Sequence, residues 1–170
     1  MAYSFIVILS HQPTGAHLDP GQRYLLRALL DRGVEFFVVG GLDILKGAPA
    51  DTFDLDVVHS RWVANIPRLL SMLETIDAVY SFQSYLRKKP TTTHLPSPGH
   101  QVLTTRYGRL NLLGSICDLG YEDLIQHTIE FDIEDGLRIR VLDLETIIAI
   151  KEELGGEEDR TFQSSERSRS

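Results

Sequence analysis

The arrangement that most constrains this chain is an apolar segment, Val34-Glu35-Phe36-Phe37-Val38-Val39, that runs into Gly40-Gly41 and is followed, after twelve intervening residues, by Asp54-Leu55-Asp56. Its β-branched and aromatic residues favour a buried strand that ends at the glycine pair. Phe53 to Val58 predicts a second strand, with a short helix from Leu42 to about Gly47 between the two. Side chains two residues apart on a strand share a face, so Asp54 and Asp56 are expected to project together while Phe53, Leu55 and Val57 face the core. Adjacent carboxylates repel unless something positive lies between them. Hard oxygen ligands aimed at one spot suit Mg²⁺, which keeps waters and completes its shell with substrate phosphates. Gly40 and Gly41 carry no side chain, so a phosphate can approach the backbone, and the helix behind them offers free N–H groups and a positive dipole end. Gly-Gly after a strand is usually only a turn, and Asp-x-Asp is often a solvent-facing edge. The ordered combination is the specific signal, a layout for phosphoryl or nucleotidyl transfer.

The remaining segments predict an α/β chain, a mixed sheet with flanking helices. Pro20 to Arg32 has helical apolar spacing at Leu25, Leu26, Leu29 and Leu30, with Asp19 as N-cap and Gly33 as the stop. Arg61 to Ile76 has apolar residues at Trp62, Ile66, Leu69, Leu70 and Leu73, a second helical pattern that Pro67 either kinks or starts later. Tyr85 to His100, with Pro90, Pro96, Pro98 and Gly99, reads as a mobile loop. Val102 to Thr105 and Arg109 to Ile116 read as paired strands turning at Tyr107-Gly108, followed by a short helix from Tyr121 to His127. Ile129 to Ile133 and Leu137 to Val141 alternate around Glu134-Asp135-Gly136, a hairpin signal. A last helix is expected from about Asp143 to Leu154, with Ile147, Ile148 and Leu154 on its apolar face. The expected organisation is a single domain over residues 1–156, with a polar, disordered tail over 157–170.

At 170 residues, 42% hydrophobic and 24% charged, the composition is that of an ordinary globular domain. The formal charge of −7 gives no general attraction to nucleic-acid backbones, and the basic run Arg87-Lys88-Lys89 reads first as a solvated loop. Cys117, the sole cysteine, cannot form an internal disulfide. No apolar run approaches the roughly 18 residues of a membrane span, and the apolar stretch after Met1 lacks the basic residues of a signal peptide. The expected location is cytoplasmic, away from membranes. The six histidines show no zinc-type spacing.

The strand, Gly-Gly, Asp-x-Asp order resembles the polymerase-β-like nucleotidyltransferase superfamily, whose signature is a hydrophobic strand, Gly-Gly or Gly-Ser, then Asp-x-Asp or Asp-x-Glu. Thr52, two residues before Asp54, also matches many members. Tyr107-Gly108-Arg109-Leu110-Asn111-Leu112-Leu113-Gly114 and Val141-Leu142-Asp143-Leu144-Glu145-Thr146-Ile147-Ile148-Ala149-Ile150-Lys151 look like the small bacterial members related to AbiEii-type toxin nucleotidyltransferases. The similarity spans about residues 20 to 159.

The resemblance implies the nucleotidyltransferase fold and Mg²⁺-dependent transfer of a nucleoside monophosphate from a nucleoside triphosphate to an acceptor hydroxyl. The acceptor would be a tRNA, a partner protein or a small molecule. Asp54 and Asp56 would hold two Mg²⁺ ions. Gly40, Gly41 and Thr52 would hold the nucleotide, with Lys151 near the triphosphate or simply solvated on its helix. Family enzymes place a third carboxylate in a Gly-x-Leu-Asp-Leu-Leu context, and here that catalytic position is Asn111. A carboxamide carries no charge and cannot take a proton from the attacking hydroxyl, so one ion of the pair is expected to be weakened. Relatives often continue through Gly-Arg-x-Lys-Asp where this chain has Gly155-Gly156-Glu157-Glu158-Asp159. Both departures imply an alternative, a catalytically inactive binding or regulatory module such as a toxin–antitoxin component. A metal-dependent phosphohydrolase would need histidines that the pattern lacks.

Overall fold

A computed structural model describes residues 18–39, 54–82, 84–133 and 136–153. The N-terminal apolar stretch, Gly40, Gly41, the helix expected from Leu42, Thr52, Phe53, Leu154, the segment Gly155 to Asp159 and the tail 157–170 lie outside the described residues.

Among the described residues seven strands form one mixed sheet in the order β3-β4-β5-β2-β1-β7-β6. They are β1 (Phe36–Val39), β2 (Asp54–His59), β3 (Val79–Tyr80), β4 (His100–Thr105), β5 (Gly108–Leu113), β6 (Thr128–Ile133) and β7 (Leu137–Leu142). β2 with β5 and β1 with β7 run parallel, and the other neighbours run antiparallel. The expected α/β class with a mixed sheet is therefore the observed one.

Two helices cover one face. The first, α1 (Pro20–Asp31), starts where Asp19 accepts the Gly21 and Gln22 N–H groups at 3.1 and 3.0 Å. It stops where Gly33 takes a φ of +62°, a turn that favours a residue without Cβ. The second, α2 (Ile66–Thr75), begins five residues later than the apolar pattern from Arg61 implied. Pro67 occupies its first turn, where the missing N–H would have had no helical partner anyway. Trp62 and Val63 stay outside, 67% and 84% exposed, so Trp62 is no core residue. Asn65, fully buried, ties the segment down by accepting the Glu35 N–H at 2.8 Å and donating to the Ser60 carbonyl at 2.8 Å. Leu25, Leu26 and Leu29 from α1 join Leu69, Met72 and Leu73 from α2 over Val38, Leu55, Val57, Leu110 and Leu112 of the sheet.

The other face carries a smaller core of Phe37, Val58, Leu124, Leu142, Ile147 and Ile150. It is built with α3 (Tyr121–Leu124) and α4, a helix over residues 144–153. Asp143 caps α4 by accepting the Thr146 N–H at 2.7 Å. Ile150 rather than the expected Ile148 is buried with Ile147; Ile148 is 46% exposed.

The proline-rich segment expected as a mobile loop is fastened to the sheet instead. Leu95 is fully buried in the larger core, Gln101 donates to the His94 carbonyl at 3.0 Å, and Tyr80 donates to the Lys88 carbonyl at 2.9 Å. Ser97 and Pro98 press so closely on Gly114 that an added Cβ would lie 2.1 Å from the Ser97 oxygen. Among the described residues no helix is long and apolar enough to cross a membrane.

Candidate functional site

The period-two alternation of β2 decides where its acids go. Leu55 and Val57 are buried in the larger core, while Asp54, Asp56 and Val58 take the opposite face. Val58 closes into the smaller core, and the two carboxylates, both half-buried, continue that face towards the start of the strand.

Register supplies the neighbours. In the parallel β2–β5 pair, Asp54 stands opposite Arg109 and Asp56 opposite Asn111. On the other side Asp56 faces Val39, the residue that precedes Gly40 in the chain. Asn111 donates from Nδ2 to Asp56 Oδ1 at 2.6 Å. It is only 8% exposed, and its Oδ1 has no hydrogen-bond partner among the described residues. Arg109 Nη1 lies 3.8 Å from Asp54 Oδ2. Each carboxylate of β2 thus has one side chain of β5 beside it, a guanidinium for Asp54 and a carboxamide for Asp56.

The donor set fits Mg²⁺. Two carboxylates share one face, and beside them the buried Asn111 Oδ1, without a hydrogen-bond partner among the described residues, is a third oxygen of the kind a hard cation takes. Among the described residues no cluster of three or more His, Cys, Asp or Glu side chains could hold a metal, so the third oxygen here would be a carboxamide.

The structure brings Asp54, Asp56 and Asn111 together, and leaves Lys151 exposed on α4 with no described contact to any of them. Gly40, Gly41 and Thr52 lie outside the described residues. The alternation of β5 puts Arg109 on the face of Asn111, and it was legible as the residue two before Asn111; that it meets Asp54 depends on register, which no local pattern states.

Other charged features have structural roles. Arg87 and Lys89 both engage Asp77, at 2.5 and 3.3 Å, and the Arg87 hydrogen bond foremost holds that carboxyl below its usual range. The basic run is therefore largely committed to one surface acid. A cleft of about 400 Å³ lined by Tyr80, Phe82, Lys88, His94, His100 and Gln101, among others, opens near the β3–β4 edge. None of the candidate residues lines it.

No protein-family model matches the chain, and no curated protein matches it. A solved structure does. It is that of a putative nucleotidyltransferase from Thermotoga maritima, 16% identical, aligned over 87% of this chain and 91% of that one with a TM-score of 0.57. At that identity the likeness shows the fold: the sheet and helices described above form a nucleotidyltransferase-like arrangement.

Proposed function

We propose that this chain, on its nucleotidyltransferase-like fold, is a Mg²⁺-dependent enzyme that moves a nucleoside monophosphate from a nucleoside triphosphate to an acceptor hydroxyl, slowed by the residue at position 111. The observation that carries this is the Asp54–Asp56 face with Asn111 bonded to Asp56 from the adjoining parallel strand. Asp54 and Asp56 hold the Mg²⁺ that accompanies the triphosphate, and the ion supplies neutralisation of phosphate charge. Gly40 and Gly41, next in the chain after the Val39 that pairs with Asp56, would let the phosphates approach the backbone, and Thr52 and Lys151 would be further nucleotide contacts.

In the transfer the acceptor oxygen bonds to the α-phosphorus as the bond to the α–β bridging oxygen breaks, and pyrophosphate leaves with that electron pair. The acceptor proton passes to water, because the neutral Asn111 amide donates to Asp56 and offers no base. A missing general base costs about 10²- to 10⁴-fold in rate. A tRNA, a partner protein or a small molecule would serve as acceptor, and the net charge of −7 weighs mildly against RNA.

Asn111 also favours a second function, a nucleotide-binding regulatory module without turnover, of the kind found in a toxin–antitoxin pair. Transfer from each of the four labelled triphosphates, measured for the native protein and for Asn111→Asp, separates the two. A gain in the variant supports the enzyme. Binding without transfer in both proteins supports the module, and neither binding nor transfer overturns both.

A further inference from the structure

Resting on that reading of the site, we propose that Arg109 is its triphosphate-gripping residue, held on Asp54 in the free protein and passed to the nucleotide's phosphate oxygens on binding. Three observations carry this. Arg109 and Asn111 are two residues apart on β5, so both point at the carboxylate face, Arg109 level with Asp54. The guanidinium meets Asp54 only loosely, at 3.8 Å with its side chain 61% exposed, so the contact is easily exchanged. The Oδ1 of Asn111 on the same strand is buried and has no hydrogen-bond partner among the described residues, so this face also offers an acceptor open to a donor or a cation.

The charges define the ligand class. Two carboxylates against one guanidinium leave a single net negative charge, enough for one divalent cation. A site of three carboxylates would have called for a second cation to offset repulsion. Arg109 supplies that second positive charge from the protein, and its planar fork suits paired phosphate oxygens better than a point charge does. The site is therefore one-metal, with Arg109 in place of a second ion against the phosphate chain.

This arrangement predicts effects of opposite sign for one substitution. Arg109→Ala removes a cation that competes for Asp54, so Mg²⁺ alone should bind several-fold more tightly. The same change removes charge-assisted hydrogen bonds to phosphate, so triphosphate affinity in the presence of Mg²⁺ should fall about ten- to a hundredfold. Calorimetry with MgCl₂ alone, and with ATP, GTP, CTP and UTP in MgCl₂, on the native protein, Arg109→Ala and Arg109→Lys reads both. Arg109→Lys should recover part of the triphosphate affinity, and a nucleoside monophosphate should lose less than the triphosphate does. Equal triphosphate affinity in Arg109→Ala and the native protein, or metal and triphosphate affinities falling together, overturns the role of Arg109 alone. No triphosphate binding by the native protein overturns the functional reading beneath it as well.

Discussion

Asn111 and Asp56 stand directly opposite each other on adjacent parallel strands, and the amide donates to the carboxylate at 2.6 Å. The contact fixes the amide's orientation, because the reverse would set two oxygens against each other. The bond gives Asp56 a donor and commits Asn111 Oδ1 to face elsewhere, where it finds no partner among the described residues.

Replacing that amide by a carboxyl should therefore be costly without metal. In Asn111→Asp the hydrogen bond becomes a like-charge contact, which forces one of the two acids to hold its proton at a raised pKa. The variant should lose about 1–3 kcal/mol of stability in EDTA, and millimolar Mg²⁺ should restore most of it. Urea melts with and without Mg²⁺ measure this, and an Asn111→Asp protein as stable as the native one in EDTA would mean that the two side chains do not meet.

Two glycines hold the frame by close approach. A Cβ at Gly21 would lie 2.0 Å from the Tyr107 carbonyl oxygen, and one at Gly114 would lie 2.1 Å from that of Ser97. The obstacles are backbone atoms, so Gly21→Ala and Gly114→Ala should each destabilise by about 1–3 kcal/mol or more. Gly99→Ala, whose nearest neighbour would be the Ser97 hydroxyl at 3.4 Å, serves as the tolerated control in the same chemical melts.

His59 makes stability depend on pH. It is fully buried on β2, with Nδ1 donating to the Ser60 carbonyl at 3.1 Å, and burial foremost pushes its pKa below the usual imidazole value. Ser60 and Glu122 act upwards and Arg61 downwards, but desolvation dominates. Between the depressed folded pKa and the unfolded value of about 6.5, the unfolded chain binds the extra proton. The contribution of this residue is thus complete above about pH 6.5 and is lost as pH falls towards the folded pKa. Melting across pH 7.5 to 5 should show the loss, and His59→Gln should flatten it; an unchanged slope in the variant would assign the effect to other groups.

Much of this architecture is written locally in the chain. Asp19 and Gly33 bracket α1 because a cap and a left-handed stop act within one turn. The period of two put Asp54 and Asp56 on one face, and the β6–β7 hairpin follows from alternation about its turn. Local pattern failed where distant contacts decided. Trp62 fits a helical stripe, yet the chain enters α2 only at Ile66, where Pro67 is tolerated and Asn65 is anchored by Glu35 and Ser60. The segment after Tyr85 looks free by composition, yet Leu95 fills a place in the core. Arg109 gains its meaning only from the register that sets it beside Asp54.

The central claim, that the Asp54–Asp56 face takes a metal–triphosphate, is tested most directly by thermal unfolding with Mg²⁺ and each common nucleoside triphosphate at millimolar concentration. A ligand at about 100 times its Kd adds about 2.7 kcal/mol, which for a domain of this size raises Tm by about 5–10 °C. The native protein should show such a rise with at least one triphosphate, and Asp54→Ala and Asp56→Ala should show none, each judged against its own ligand-free Tm. No shift with any of the four, or an equal shift in both variants, would contradict the claim.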